Sequence, residues 1–167
     1  SGNGHVNCIL GWHGTILSSA LGIASTNFWL SPPLVQWDDP DWKKTLLDAM
    51  KTPPGAKEKD PGYFGRGIYF TQAVGYGARY AVLSAQATQT RAVSSGAPPE
   101  KTELCLVASW VLLGKSYPAT EKADPTDPHS LIGRPCKPGF NSHYCVLSDT
   151  GDCITPYNPF GGKGKPG

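Results

Sequence analysis

The sequence lacks an apolar run of membrane length. Its longest, residues 104–113, is interrupted by Ser109, so no bilayer-spanning helix is expected and no membrane partner. It also lacks any CxxC spacing. Its five cysteines, Cys8, Cys105, Cys136, Cys145 and Cys153, are odd in number. That pattern argues against zinc, so no metal is expected, and it favours free thiols in a reducing compartment. A Cys136–Cys153 or Cys145–Cys153 disulfide is the alternative. No signal-peptide pattern is present, and an intracellular setting, cytoplasm or nucleus, is the expectation. Charge is scarce: the formal net charge is +2, and the basic residues are scattered without a stripe interleaved with aromatics. Nucleic-acid binding is therefore not indicated. Neither GxGxxG nor GxxxxGK[ST] occurs, which argues against a parallel nucleotide-binding sheet. There are no internal repeats.

What is abundant is glycine and proline, 20 and 16 residues of 167. They imply many turns and long loops, hence an α+β domain and not a helix bundle. The length suits a single domain over residues 1–167 with a sizeable core. Val6, Cys8, Leu10 and Trp12 alternate with Asn7, Ile9, Gly11 and His13, which predicts a strand. It ends at Trp12-His13-Gly14-Thr15. A glycine there lets a ligand approach the backbone closely, so that its N–H and C=O can both be used. The imidazole of His13 is expected on the same face as that approach. A histidine capping a turn is the plain alternative.

Ile16, Ala20 and Ile23 continue as a short helix ended by Gly22 or Ser25, and Phe28-Trp29-Leu30 is an apolar patch broken by Pro32-Pro33. Asp39-Pro40-Asp41 reads as a helix start, with Asp39 as N-cap and Pro40 in the first helical position. Trp42, Leu46, Ala49 and Met50 form its buried stripe. Residues 53–55 and 57–60 are an exposed loop, and residues 94–101 and 124–128 are also loops. The apolar run 104–113 is expected to be a central strand buried on both faces. Gly114-Lys115 turns it, Tyr117-Pro118 starts another segment, and residues 143–147 form a last short strand before a Gly/Pro-rich tail.

The most informative stretch is residues 64–80, FGRGIYFTQAVGYGARY. Alternation through Ile68, Tyr69 and Phe70 predicts a short strand. Tyr76, Tyr80, Leu83 and Ala87 then fall on one face of a helix. Tyr69 on the strand and Tyr80 on the first turns of the helix could close on one pocket, although as isolated aromatics both are better explained as core packing.

Together these stretches resemble the catalytic domain of the poly(ADP-ribose) polymerase-like ADP-ribosyltransferases. Trp12-His13-Gly14-Thr15 is similar to that family's W-H-G-[ST] strand end. Phe64-Gly65-Arg66-Gly67-Ile68-Tyr69-Phe70 is similar to its F-G-x-G-I-Y-F, and Tyr80, eleven positions after Tyr69, matches its second pocket tyrosine. Val111-Leu112-Leu113-Gly114-Lys115-Ser116-Tyr117 resembles its V-x-L-G-x-x-Y strand and turn. Gly139-Phe140-Asn141-Ser142 resembles, less specifically, the loop before its last strand. Relative to that pattern, about residues 33–60 form an insertion.

The resemblance implies an ADP-ribosyltransferase-like split antiparallel β-structure with flanking helices, and NAD as substrate. It implies that His13 hydrogen-bonds the adenosine-side ribose and that Gly14 clamps the nicotinamide carboxamide through its backbone. Thr15 would support the ribose contacts, Tyr69 would form one wall, and Tyr80 would stack on the nicotinamide ring. His13 and Tyr69 are its implied catalytic residues. The implied activity is cleavage of the nicotinamide–ribose bond and transfer of ADP-ribose to an acceptor, expected to be a protein, one unit at a time. Breaking that bond passes through an oxocarbenium-like state, which calls for a carboxylate near the ribose.

The chain departs from the family at two points. The late-strand glutamate is not found. Either His143 takes its place, or the 140–142 loop precedes a strand beyond Gly167 and the chain is C-terminally truncated. Gly77 stands eight positions after Tyr69, where the family usually has a serine that holds the carboxamide. Besides the transferase, two readings stay open: a non-catalytic NAD- or ADP-ribose-binding or interaction module of the same fold, and an unrelated α+β domain in which His13, Tyr69 and Tyr80 only pack.

Overall fold

The computed structural model describes residues 7–51, 61–96, 102–119 and 124–146. The element order is β1 (Cys8–Ile16), α1 (Leu17–Thr26), α2 (Trp42–Met50), α3 (Val74–Ser94), β2 (Leu104–Leu112), β3 (Ser116–Pro118) and β4 (Ser142–Tyr144). This is a mixed set of helices and small sheets. The chain divides into two compact units. The first comprises Ser1–Trp29 with Ile68–Leu113, and the second Leu30–Gly67 with Gly114–Gly167. Several expectations lie outside the described residues: Val6, the loops at 53–55 and 57–60, Leu147, the glycine- and proline-rich tail, and both disulfides to Cys153. Cys8, Cys105 and Cys136 are free thiols.

In the first unit β1 and β2 pair antiparallel, from Cys8 opposite Leu112 to Ile16 opposite Leu104. The bonds at the two ends fix the parity of the ladder. Leu113 N–H donates to Asn7 C=O (2.8 Å), and Leu17 N–H donates to Glu103 C=O (2.9 Å). Odd-numbered residues of β1 therefore turn their N–H and C=O toward β2, and even-numbered residues turn theirs to the opposite edge. Helix α3 packs on the sheet through Gly77, Ala81 and Ala85, a stripe of small residues at i, i+4 and i+8. This corrects the expected aromatic face. Leu83 is 42% exposed, and Tyr76 and Tyr80 flank the stripe half-buried. A helix whose backbone lies close to a strand needs small side chains at the contact, whatever its larger residues offer.

The run 104–113 is also corrected. β2 pairs with β1 only, among the described residues, and its even positions Leu104, Trp110 and Leu112 are 55%, 75% and 70% exposed. It is not a strand buried on both faces. The 68–70 segment forms no strand. One bridge joins Thr71 to Trp12, and Tyr69 precedes it in chain that belongs to no strand.

In the second unit Val35, Leu46 and Ile132 are buried together, with Leu34, Trp42, Met50 and Tyr63 packed around them. The stripe expected on α2 is the one that points inward. The helix starts two residues later than expected, at Trp42 with Asp41 as N-cap. Asp39 Oδ1 accepts the Asp41 N–H (2.8 Å), so Asp39-Pro40 forms an Asx turn ahead of the helix. Gly133, at φ +69°, lies where a Cβ would come within 2.8 Å of Leu46 Cδ1. Next to it Arg134 is only 2% exposed. Its guanidinium carbon lies 4.6 Å from the Trp37 ring centroid and 5.1 Å from that of Trp42. Burial pushes its pKa down, and the charge of Asp39 opposes the shift.

β3 and β4 form a parallel pair, Ser116 opposite Ser142. Gly114, at φ +59°, makes the turn before β3 with its Cα against Asn141. Asn141 Oδ1 in turn accepts the Lys115 N–H (3.0 Å).

Candidate functional site

The five residues singled out for nicotinamide and ribose, His13, Gly14, Thr15, Tyr69 and Tyr80, all lie in the first unit. β1 presents the first three. Side chains alternate along a strand, so Trp12 and Gly14 leave β1 on the face covered by α3, and His13 and Thr15 leave it on the other. The expected sharing of one face by the imidazole and the glycine approach is thereby corrected. What they share is an edge.

That edge is defined by Trp12 and Thr71, which exchange two backbone bonds. Trp12 N–H donates to Thr71 C=O (2.7 Å), and Thr71 N–H donates to Trp12 C=O (3.0 Å). Two residues further along each segment, Gly14 would face Tyr69. The ladder does not continue. The Tyr69 carbonyl is engaged instead by His13 Nδ1 at 2.9 Å. Parity still turns the N–H and C=O of Gly14 toward this edge. Among the described residues neither meets a backbone partner, and Gly14 is buried. A buried backbone donor and acceptor side by side, both unmatched, are costly to the fold. They fit a group that offers one acceptor and one donor at the same spacing, as a primary carboxamide does.

The reason for glycine at this position also changes. A Cβ on Gly14 would lie 1.9 Å from the Gly77 carbonyl oxygen and 2.7 Å from the Ala81 nitrogen. The missing side chain makes room for the backbone of α3 and not, in the first place, for a ligand. The same contact brings the turn of α3 that carries Tyr80 against Gly14. Tyr80 and Tyr76 meet edge to face, with ring centroids 5.4 Å apart and hydroxyls 3.4 Å apart.

A carbonyl oxygen only accepts, so the bond to Tyr69 places the proton of a neutral His13 on Nδ1 and leaves Nε2 as an acceptor. Two rings hold the imidazole in plane. Phe28 stands edge-on at 5.1 Å, Phe70 is tilted to the imidazole at 5.8 Å, and Phe28 and Phe70 are themselves 5.1 Å apart. Phe28 is delivered by Asn27, which ends α1 at φ 70° and accepts the Phe28 N–H on Oδ1 (2.8 Å). Thr15, beside His13, is 7% exposed.

Phe28 and Phe70 were read from the sequence only as parts of an apolar patch and a strand, and neither they nor the bridging Thr71 were expected at the site. α1 runs past the expected stop at Gly22 or Ser25 to Thr26, and the asparagine that follows it was the available signal for the Phe28 turn. Tyr69 contributes its carbonyl to His13, and its side chain is 37% exposed.

His143 has both ring nitrogens engaged within the second unit. Nδ1 donates to the Phe64 carbonyl (2.7 Å), and Nε2 accepts the Lys137 N–H (2.9 Å). Its task there is to join β4 to two loops. Of the acidic residues of the first unit, the described residues include one, Glu103, which is exposed. Among the described residues no group of three His, Cys, Asp or Glu side chains could hold a metal ion, and no helix is long and apolar enough to cross a membrane.

In comparisons with known proteins, no family model, no curated protein and no solved structure matches this chain.

Proposed function

We propose that the chain is an NAD+-dependent ADP-ribosyltransferase that attaches single ADP-ribose units to a protein acceptor. The observation that carries the proposal is the open N–H and C=O pair of Gly14, beside a histidine whose Nε2 is left as an acceptor by the bond to Tyr69. The Gly14 pair would take the nicotinamide carboxamide, and His13 Nε2 a ribose hydroxyl. Tyr80 would stack on the nicotinamide ring, Tyr69 would line the opposite wall, and Thr15 would support the ribose contacts. In the reaction the bond from the ribose C1′ to the nicotinamide nitrogen breaks and its electron pair leaves with nicotinamide. The acceptor's lone pair then forms the new bond to C1′ and the acceptor loses its proton. Binding the carboxamide and ring in the geometry of departure lowers that barrier.

A second reading is favoured by one observation: the described part of the first unit carries a single carboxylate, Glu103. Without a carboxylate at the ribose, the same pocket would bind NAD+ or ADP-ribose and not cleave it. Incubation with NAD+ labelled in its nicotinamide, beside calorimetry of NAD+ binding, separates the two. Released nicotinamide supports the transferase, and binding without release supports the module. Neither binding nor release would overturn both.

Two substitutions test the pocket itself. Tyr80→Ala should weaken NAD+ binding by about 1–2 kcal/mol through loss of ring stacking, and an unchanged dissociation constant removes Tyr80 from the pocket. Gly77→Ser should be accepted by the fold. Its Cβ would sit 3.3 Å from Leu106 Cδ2, 3.3 Å from Trp12 Cβ and 3.4 Å from Thr71 Cγ2, tight contacts but all with side-chain atoms. The added hydroxyl should tighten NAD+ binding by about 0.5–1.5 kcal/mol. Weaker or equal binding by calorimetry, with stability unchanged, counts against a carboxamide beside this turn of α3.

A further inference from the structure

We infer that β2 is a self-association edge and that its occupant is β2 of a second copy of this chain. The parity that turns the odd residues of β1 toward β2 turns the N–H and C=O of Leu104, Leu106, Ala108, Trp110 and Leu112 away from it. Among the described residues none of these groups has a backbone partner on that side. Natural edge strands are usually blunted by a lysine, a proline or a bulge. β2, with the sequence LCLVASWVL, has no charge and no proline, and its pairing with β1 runs without a bulge.

The strand is complementary to itself. An antiparallel pair centred on Ala108 sets Ala108 against its twin, Leu106 against the partner's Trp110, and Leu104 against the partner's Leu112. The outward-facing groups at these positions then exchange bonds directly, and the two-fold closes the assembly. The side chains agree as well. Leu104, Trp110 and Leu112, all more than half exposed, stand on one face, so every cross-strand pair on that face is apolar.

A groove marks where the partner's side chains go. It has a volume of about 220 Å³ and is lined by Ala78, Ala81 and Val82 of α3 and by Leu104, Cys105 and Leu106 of β2. The two-fold register delivers the partner's Trp110 beside Leu106 and the partner's Leu112 beside Leu104, at the mouth of that groove. Each copy would thus cover the other's most exposed apolar residue of the strand, Trp110.

Sedimentation velocity of the full chain from about 1 to about 100 µM reads the result as mass. Wild type should sediment at twice the monomer mass in the upper range. Ala108→Pro removes an N–H that points to the open edge. It leaves the β1–β2 ladder intact, because Ala108 does not bond to β1. Trp110→Lys places a charge in the partner's groove and does not touch the backbone. Both should be monomeric, and Trp110→Lys keeps the test decisive if Ala108→Pro does not fold. A wild type that stays monomeric throughout overturns the proposal. So does a dimer that persists in Trp110→Lys.

Discussion

Replacing Gly14 with alanine should destabilise the protein by about 3 kcal/mol or more, toward or beyond the upper end of what overpacked sites show. A new Cβ would stand 1.9 Å from the carbonyl oxygen of Gly77 and 2.7 Å from the amide nitrogen of Ala81. Both are backbone atoms inside α3, so no rotamer change relieves the contact. Either the helix lifts from β1 along the Gly77-Ala81-Ala85 stripe, opening voids, or β1 shifts and breaks its register with β2. Against a total stability of the order of 5–15 kcal/mol, the loss should appear as a large drop in the urea midpoint at unchanged slope. Gly22→Ala provides the control. No atom lies within 4 Å of a Cβ at that position in α1, and the change should stabilise by about 0.5–1 kcal/mol. A Gly14→Ala protein as stable as wild type would mean that α3 does not lie against β1 as described.

This contact also shows what was legible in the sequence. Trp12-His13-Gly14-Thr15 was readable as a strand end, because an alternating pattern leads into it, and β1 runs through all four residues. The need for glycine was readable too, but not its cause. Gly77, Ala81 and Ala85 stand at helical spacing in plain view, yet Tyr76, Tyr80 and Leu83 draw the eye because they bury more area when they are buried. Backbone approach selects by smallness, and hydropathy patterns do not register it.

The run in β2 misled for a related reason. A continuous apolar strand is usual in a sheet covered on both sides, and nothing local distinguishes it from an open edge. In α2 the stripe Trp42, Leu46 and Met50 was readable because a single face is buried. Its start was not, since Asp39-Pro40-Asp41 serves an Asx turn as well as it serves a cap. Tyr69 was placed on a strand by its apolar neighbours. The imidazole of His13 takes the carbonyl that would have continued the ladder, and that competition depends on a residue 56 positions away.

His13→Ala should weaken NAD+ binding by about 2 kcal/mol, roughly thirtyfold, and should abolish any nicotinamide release. Two interactions of about 1 kcal/mol each disappear: the acceptor at Nε2, and the bond from Nδ1 that holds the Tyr69 carbonyl. The two can be separated. His13→Asn keeps an N–H at nearly the position of Nδ1 and has nothing at Nε2. It should restore most of the stability that His13→Ala loses, read as the urea midpoint, and should still bind NAD+ about 1 kcal/mol more weakly than wild type, because the Nε2 contact stays lost. The comparison works because Nδ1 is bonded within the chain, to the Tyr69 carbonyl, while Nε2 is the nitrogen assigned to the ligand. If His13→Asn binds NAD+ as wild type does, Nε2 meets no part of the ligand. The histidine then belongs to the packing of Phe28 and Phe70, and the proposed pocket loses its ribose contact. If binding falls while stability returns, the edge of β1 is where the ligand lies, and Gly14 is the neighbouring residue with backbone groups open to the carboxamide.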